Sequence, residues 1–184
     1  MTDFATMWQP VTVPDGETIH WRLGAFSLWL RRAGPEWLLA ANNDPTATGF
    51  IIDHLRPPAE LVWLRRVAPD TTPTIRMVPR LPDRPVISRP AQPLALLPGT
   101  DCRFFISVPA FISVQLVASG QLLEEFPAET LIKSWSGSVI DGEACYALHT
   151  TARRDPAELH PAPQRIVCPV LLRNQSAENL PFNR

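Results

Sequence analysis

The sequence predicts a mainly β fold: two packed antiparallel sheets, as a sandwich or a partly open barrel, arranged in one body or two small β halves. Three observations predict it. Proline accounts for 21 of 184 residues, about twice the usual ~5%. Each proline removes a backbone donor and breaks a helix interior, so a long helix fits only into the proline-free windows 15–34, 110–126 and 128–155. Inside those windows apolar residues recur at every second position, the period of a strand. From Pro57 to Pro109 the chain is cut by proline every few residues, which excludes a helical bundle and all but excludes a doubly wound α/β fold. With 45% hydrophobic residues the chain can still bury a substantial core.

Within 15–34, Ile19, Leu23, Phe26 and Leu30 fit a helical stripe, but Phe26, Leu28 and Leu30 also alternate. Gly24 interrupts the middle, and Arg32-Ala33-Gly34-Pro35 reads as a turn. Two strands are expected there, with residues 36–41 returning as a third. Residues 74–98 hold prolines at 79, 82, 85, 90, 93 and 98. They read as an extended connector between an N-terminal half, 1–73, and a C-terminal half, 99–184, with Val86-Ile87 and Leu94-Ala95-Leu96-Leu97 as edge segments. Phe104, Ile106 and Val108, then Ile112, Val114 and Leu116, alternate as two further strands, and Ala118-Ser119-Gly120 turns the chain back into 121–125.

Asp141-Gly142, between two alternating runs, signals a two-residue hairpin turn. In that register Ser134 faces His149, Ser136 faces Ala147, Ser138 faces Cys145 and Ile140 faces Glu143. Trp135, Tyr146 and Leu148 then take the buried face, with Tyr146 over Gly137, while Ser134, Cys145 and His149 face the other way. Residues 28–35 (Leu-Trp-Leu-Arg-Arg-Ala-Gly-Pro) resemble 62–69 (Val-Trp-Leu-Arg-Arg-Val-Ala-Pro). The pattern is either a duplicated unit or two strands that converged.

Charge and chemistry narrow the function classes. The net charge is −1 with 19% charged residues, and the basic residues are all arginine except Lys133. The block 54–92 is arginine-rich and includes Arg65 and Arg66; a second Arg-Arg pair is Arg153-Arg154. Such pairs can grip an anion or phosphate, but a nucleic-acid binder wants a basic total and interleaved aromatics, and only Trp63 lies in the block. Nucleic acid is disfavoured. Cys102, Cys145 and Cys168 are too scattered for a metal site and read as reduced thiols of a cytoplasmic protein. No run approaches the ~20 apolar residues of a membrane span, and residues 1–14 have no signal-peptide pattern.

No phosphate loop, nucleophile elbow or dinucleotide fingerprint is present, so no cofactor is implied. The candidate catalytic residues are Ser134, His149 and Glu143 on the hairpin face: Ser134 and His149 would approach within reach of a serine–base contact, although no acid is placed to orient the imidazole. Asp53-His54 and Asn42-Asn43-Asp44 read as polar loop clusters, because adjacent strand residues point apart. Trp8, close to the N-terminus, reads as a partner contact.

Several stretches taken in order resemble a prokaryotic family known as domain of unknown function number 432. They are Glu36-Trp37, Arg84-Pro85-Val86 and Arg89-Pro90, Phe104-Phe105-Ile106-Ser107-Val108-Pro109, Trp135-Ser136-Gly137, Gly142-Glu143-Ala144-Cys145-Tyr146 and Thr151-Ala152-Arg153-Arg154. Ser136 stands where that family prefers an aromatic, and Ala144 where it prefers leucine. The resemblance implies no established activity, cofactor or catalytic residue, and at most an accessory role in a membrane system. The leading expectation is thus a non-enzymatic module that binds a protein partner or a second copy of itself. The alternatives are a small hydrolase or carbohydrate-binding domain using the 134–149 hairpin face, and an anion or nucleic-acid binder using 54–92.

Overall fold

A computed structural model describes residues 6–68, 73–90, 92–159 and 162–182, the side chains of 149–151 excepted. Strands make up 56% of these residues and helix 4%, so the fold is mainly β, and none of its sheets closes into a barrel. The strands are β1 (Val11–Thr12), β2 (Thr18–Leu23), β3 (Phe26–Ala33), β4 (Glu36–Asn43), β5 (Phe50–Asp53), β6 (Leu64–Val67), β7 (Thr74–Arg80) and β8 (Val86–Pro90). They continue with β9 (Leu94–Leu96), β10 (Asp101–Pro109), β11 (Phe111–Leu116), β12 (Leu122–Pro127), β13 (Ile132–Ser136), β14 (Glu143–Ala152), β15 (Arg165–Arg173) and β16 (Leu180–Phe182). The prolines punctuate them: Pro90, Pro109 and Pro127 are each the last residue of a strand, where a missing backbone donor costs least.

The chain divides into two compact units, Met1–Arg80 with Ala110–Glu129, and Leu81–Pro109 with Thr130–Arg184. Residues 74–98, expected as extended edge segments between the halves 1–73 and 99–184, contain β7, β8 and β9. Strand β7 lies inside a sheet, between β1 and β11, with Ile75 and Met77 fully buried, while β8 and β9 pair with strands of the second unit.

In the first unit a five-stranded sheet, β5-β2-β3-β4-β6, and a four-stranded one, β1-β7-β11-β12, form a sandwich. Turns at Gly24 (φ 58°) and Gly34 (φ 59°) use the left-handed region open to glycine, and close β2–β3 and β3–β4 where the sequence predicts. One face of the larger sheet buries Ile19, Trp21, Leu23, Phe26, Leu28, Leu30, Trp37 and Leu39; the smaller sheet buries Ile75, Met77, Ile112, Val114 and Leu116. Phe26 meets Phe126 at 6.5 Å between ring centroids. Trp21 donates its indole N–H to the Met7 carbonyl (3.2 Å) and touches the rings of Phe26, Phe50 and Trp8. Trp8, expected at a partner surface, is thus part of this aromatic cluster.

The two resembling segments flank β4. Leu30, Arg31, Arg32 and Ala33 stand opposite Leu39, Leu38, Trp37 and Glu36 on one side, and Leu64, Arg65, Arg66 and Val67 stand opposite the same four on the other.

The second unit holds the long pair β10–β15, the three strands β13-β14-β8, and the short pair β16–β9. Phe105 and Arg153 exchange both backbone hydrogen bonds, at 2.7 and 3.0 Å, which ties β10 to the end of β14. Buried Asn174 binds the Leu96 and Glu178 carbonyls and accepts from Ser176, so its polar atoms cost little to bury.

Candidate functional site

The hairpin expected to carry the site forms in another register. Strands β13 and β14 pair Ile132 with Ala147, Lys133 with Tyr146, Ser134 with Cys145, Trp135 with Ala144 and Ser136 with Glu143. The turn at Asp141-Gly142 gives way to a six-residue loop, 137–142. Ser134 is exposed opposite fully buried Cys145, and His149 lies four residues further along β14, ~13 Å by strand rise. The expected Ser134–His149 contact falls on the His149 side chain, which lies outside the described residues. Glu143 is exposed at the mouth of the loop. Trp135, expected in the core, is 54% exposed. Tyr146 is buried as expected, but it lies opposite Lys133, not Gly137, and its hydroxyl donates to Asp83 (2.7 Å). Burial, followed by that bond and the Asp83 charge, raises its pKa.

The loop's own chemistry explains the register. Gly137 has φ of +100°, and a Cβ built on it would meet the Gly142 Cα at 2.8 Å: two glycines let the strand ends touch backbone to backbone. A Cβ on Gly142 would fall 2.1 Å from the Trp135 Nε1. The indole thus occupies the space that a side chain would take, and its N–H donates to the Ser138 carbonyl (2.9 Å). Ser138 Oγ accepts from the Asp141 amide (2.9 Å). Held this way, the loop presents Val139 and Ile140, 94% and 90% exposed.

A second polar arrangement, missed by the sequence reading, lies on the five-stranded sheet. His20 pairs with Asp53 across β2–β5. Its Nδ1 lies 3.0 Å from Asp53 Oδ1 and its Nε2 3.2 Å from Ser27 Oγ, while its ring stacks on Trp29 at 4.6 Å. This is the order of groups of a serine nucleophile, base and orienting acid. Its surroundings are wrong for acyl transfer. Ser27 is only 6% exposed, and β3 is paired along both edges, so its amides serve the ladders and cannot hold an oxyanion. The arrangement acts as a clasp joining β2, β3 and β5. Burial tends to raise the Asp53 pKa, but the Leu55 amide, the His20 hydrogen bond and charge, and Arg22 outweigh it and hold the carboxyl below its ordinary 3.8. A depressed carboxyl contributes stability that is complete above 3.8 and lost as pH falls through the lower folded value. Denaturation midpoints measured below pH 4 should therefore fall less steeply in Asp53→Asn than in the parent protein.

The arginines sort differently from their sequence block. Arg65 pairs with Glu36 (3.3 Å); Arg66 donates to the Leu123 carbonyl and pairs with Glu124. Arg76 and Arg80 belong to β7, Arg89 to β8, and Arg84 sits 6.0 Å over the Tyr146 ring. The 54–92 arginines thus belong to separate sheets and both units. Arg153 and Arg154 line one cleft of the second unit. Among the described residues no three His, Cys, Asp or Glu side chains gather as metal ligands, and no helix is long and apolar enough to cross a membrane. Burial raises the Cys168 pKa, away from the nucleophilic thiolate.

The family described as Protein of unknown function (DUF432) matches residues 7–184. No curated protein and no solved structure matches the chain.

Proposed function

We propose that this chain, which belongs to the DUF432 family of proteins of unknown function, is a non-enzymatic module that docks on another protein through the 137–142 loop. The observation that carries the reading is the pair Val139 and Ile140, both at least 90% exposed, on a loop pinned by its own tryptophan. Isolated exposed apolar residues are ordinary, but a contiguous apolar tip is a mark of an interaction site. The pinning matters for affinity. A loop already held by the Trp135–Ser138 hydrogen bond loses little conformational freedom on binding, and a tryptophan at the centre of a patch is a common hot spot.

A protein cleft fits this tip better than a lipid surface. Lys133 and Arg84, the latter paired with Asp83, are the basic residues placed near its base by the strand register, against Asp141 and Glu143, whereas peripheral membrane segments pair apolar residues with an excess of basic ones.

A benzophenone amino acid at position 139, irradiated in native cells, tests the reading. A single dominant protein adduct is expected, and Gly142→Ala should reduce it several-fold, because the new methyl displaces the indole and the Ser138 carbonyl. Adducts no more selective than those from the equally exposed Val62 (81%), or adducts to lipid, would overturn the proposal.

A further inference from the structure

We infer that the second unit holds a separate binding site for a small amphiphilic carboxylate, in a cleft of about 370 Å³ where β8 and β14 end. These two strands are parallel, and Pro90 and Ala152, their last residues, both line the cleft. Parallel strands whose chains diverge beyond their carboxyl ends leave a crevice there, the usual ligand position in parallel sheets. Here β8 ends at Pro90, while β14 bends into the 3₁₀ turn Pro156–Glu158.

The bend decides the chemistry. Consecutive side chains of a strand point to opposite faces, yet Arg153 and Arg154 line the same cleft because the chain turns at residues 154–155. The Arg153 backbone is fixed by its two hydrogen bonds to Phe105, and Asp155 caps the turn that follows by accepting from the Ala157 amide (2.8 Å). The two guanidiniums thus stand on an ordered segment. Arg153 pairs loosely with Glu158 (3.8 Å), and Arg154 has no partner among the described residues. Among the described lining residues two arginines stand against one glutamate, a balance that suits a monoanion. A guanidinium fork takes a carboxylate in bidentate fashion.

Much of the remaining lining is apolar: Pro93, Leu94 and Phe104 contribute to it, and Phe104 is held by Phe182 at 5.3 Å between centroids. At ~30 Å³ per water-sized group, 370 Å³ accommodates roughly a dozen non-hydrogen atoms. That is the size of a medium-chain fatty acid such as decanoate, with its head on the arginines and its chain along the prolines and Phe104. This site is independent of the 137–142 loop and of the docking role assigned to it.

Isothermal titration of the full chain with decanoate, below micelle formation, tests the inference. The expected result is one saturable site in the micromolar range, with decanol and acetate each at least tenfold weaker. Arg154→Gln and Arg153→Gln should each weaken decanoate at least tenfold without lowering the melting temperature, whereas Val139→Asp should change nothing. Decanol binding as tightly as decanoate, affinity unmoved by both arginine variants, or co-sedimentation with anionic vesicles in preference to monomeric decanoate would each overturn it.

Discussion

Trp21→Ala is expected to destabilise the protein by ~3–5 kcal/mol, the range for removing a large aromatic from a core, and Trp135→Ala by only about 1 kcal/mol. The two tryptophans have the same side chain and opposite surroundings. Trp21 is fully buried, satisfies its N–H at the Met7 carbonyl and touches three aromatic rings. Its removal leaves a cavity between sheets and an unpaired carbonyl. Trp135 is 54% exposed and gives up one hydrogen bond to Ser138, a contact worth ~0.5–1.5 kcal/mol net. Urea titration of both variants measures the difference. Had the hairpin turned at Asp141-Gly142, Trp135 would have been the costly one.

The second large effect is expected at His20. His20→Ala removes the stack on Trp29, worth ~0.5–1.5 kcal/mol, and leaves the Ser27 hydroxyl buried without its partner, which costs ~1–3 kcal/mol. The sum is about 1.5–4.5 kcal/mol. Ser27→Ala in the His20→Ala background should recover part of it, because no polar atom is then stranded. A double-mutant cycle on denaturant midpoints should therefore show clear coupling between the two positions. Simple additivity would mean that the histidine and serine do not hold each other.

The contrast between these tryptophans shows what periodicity can and cannot reveal. Alternation at 26–30, at 104–108 and at 112–116 names which residues share a face, and the structure places strands there. Whether a face has anything over it depends on the strand's position in its sheet. Strand β13 is an edge strand whose first four residues are all exposed, so the parity that groups Trp135 with Tyr146 says nothing about the burial of Trp135. The register failed for a local reason as well. Asp-Gly is a tight-turn signal, but Gly137 supplies a second flexible point five residues earlier, and the indole claims the space over Gly142. The clasp was illegible altogether. His20, Ser27 and Asp53 come from three strands, and Asp53 reaches His20 only through the β2–β5 pairing. Asp53-His54 drew attention to the right carboxylate beside the wrong imidazole. For Arg153 and Arg154 the sequence named the pair but not the bend that aims both into one cleft.

The twin segments on either side of β4 present the folding chain with two candidates for one template. Either could lay leucine on Leu39 and arginine on Leu38 and Trp37 in the same antiparallel register, so side-chain complementarity alone does not say which arrives first. Chain length does. Strand β3 reaches β4 through the two-residue turn Gly34-Pro35, whereas β6 must close over residues 44–63. A tenfold longer loop costs about 2 kcal/mol more in closure entropy. The β3–β4 hairpin is therefore expected to form first, leaving β6 the remaining edge. Two molecules at high concentration face no such ordering: β6 of one copy can take the open edge of β4 in another that is still folding, so strand exchange between copies is the misassembly expected of this fold.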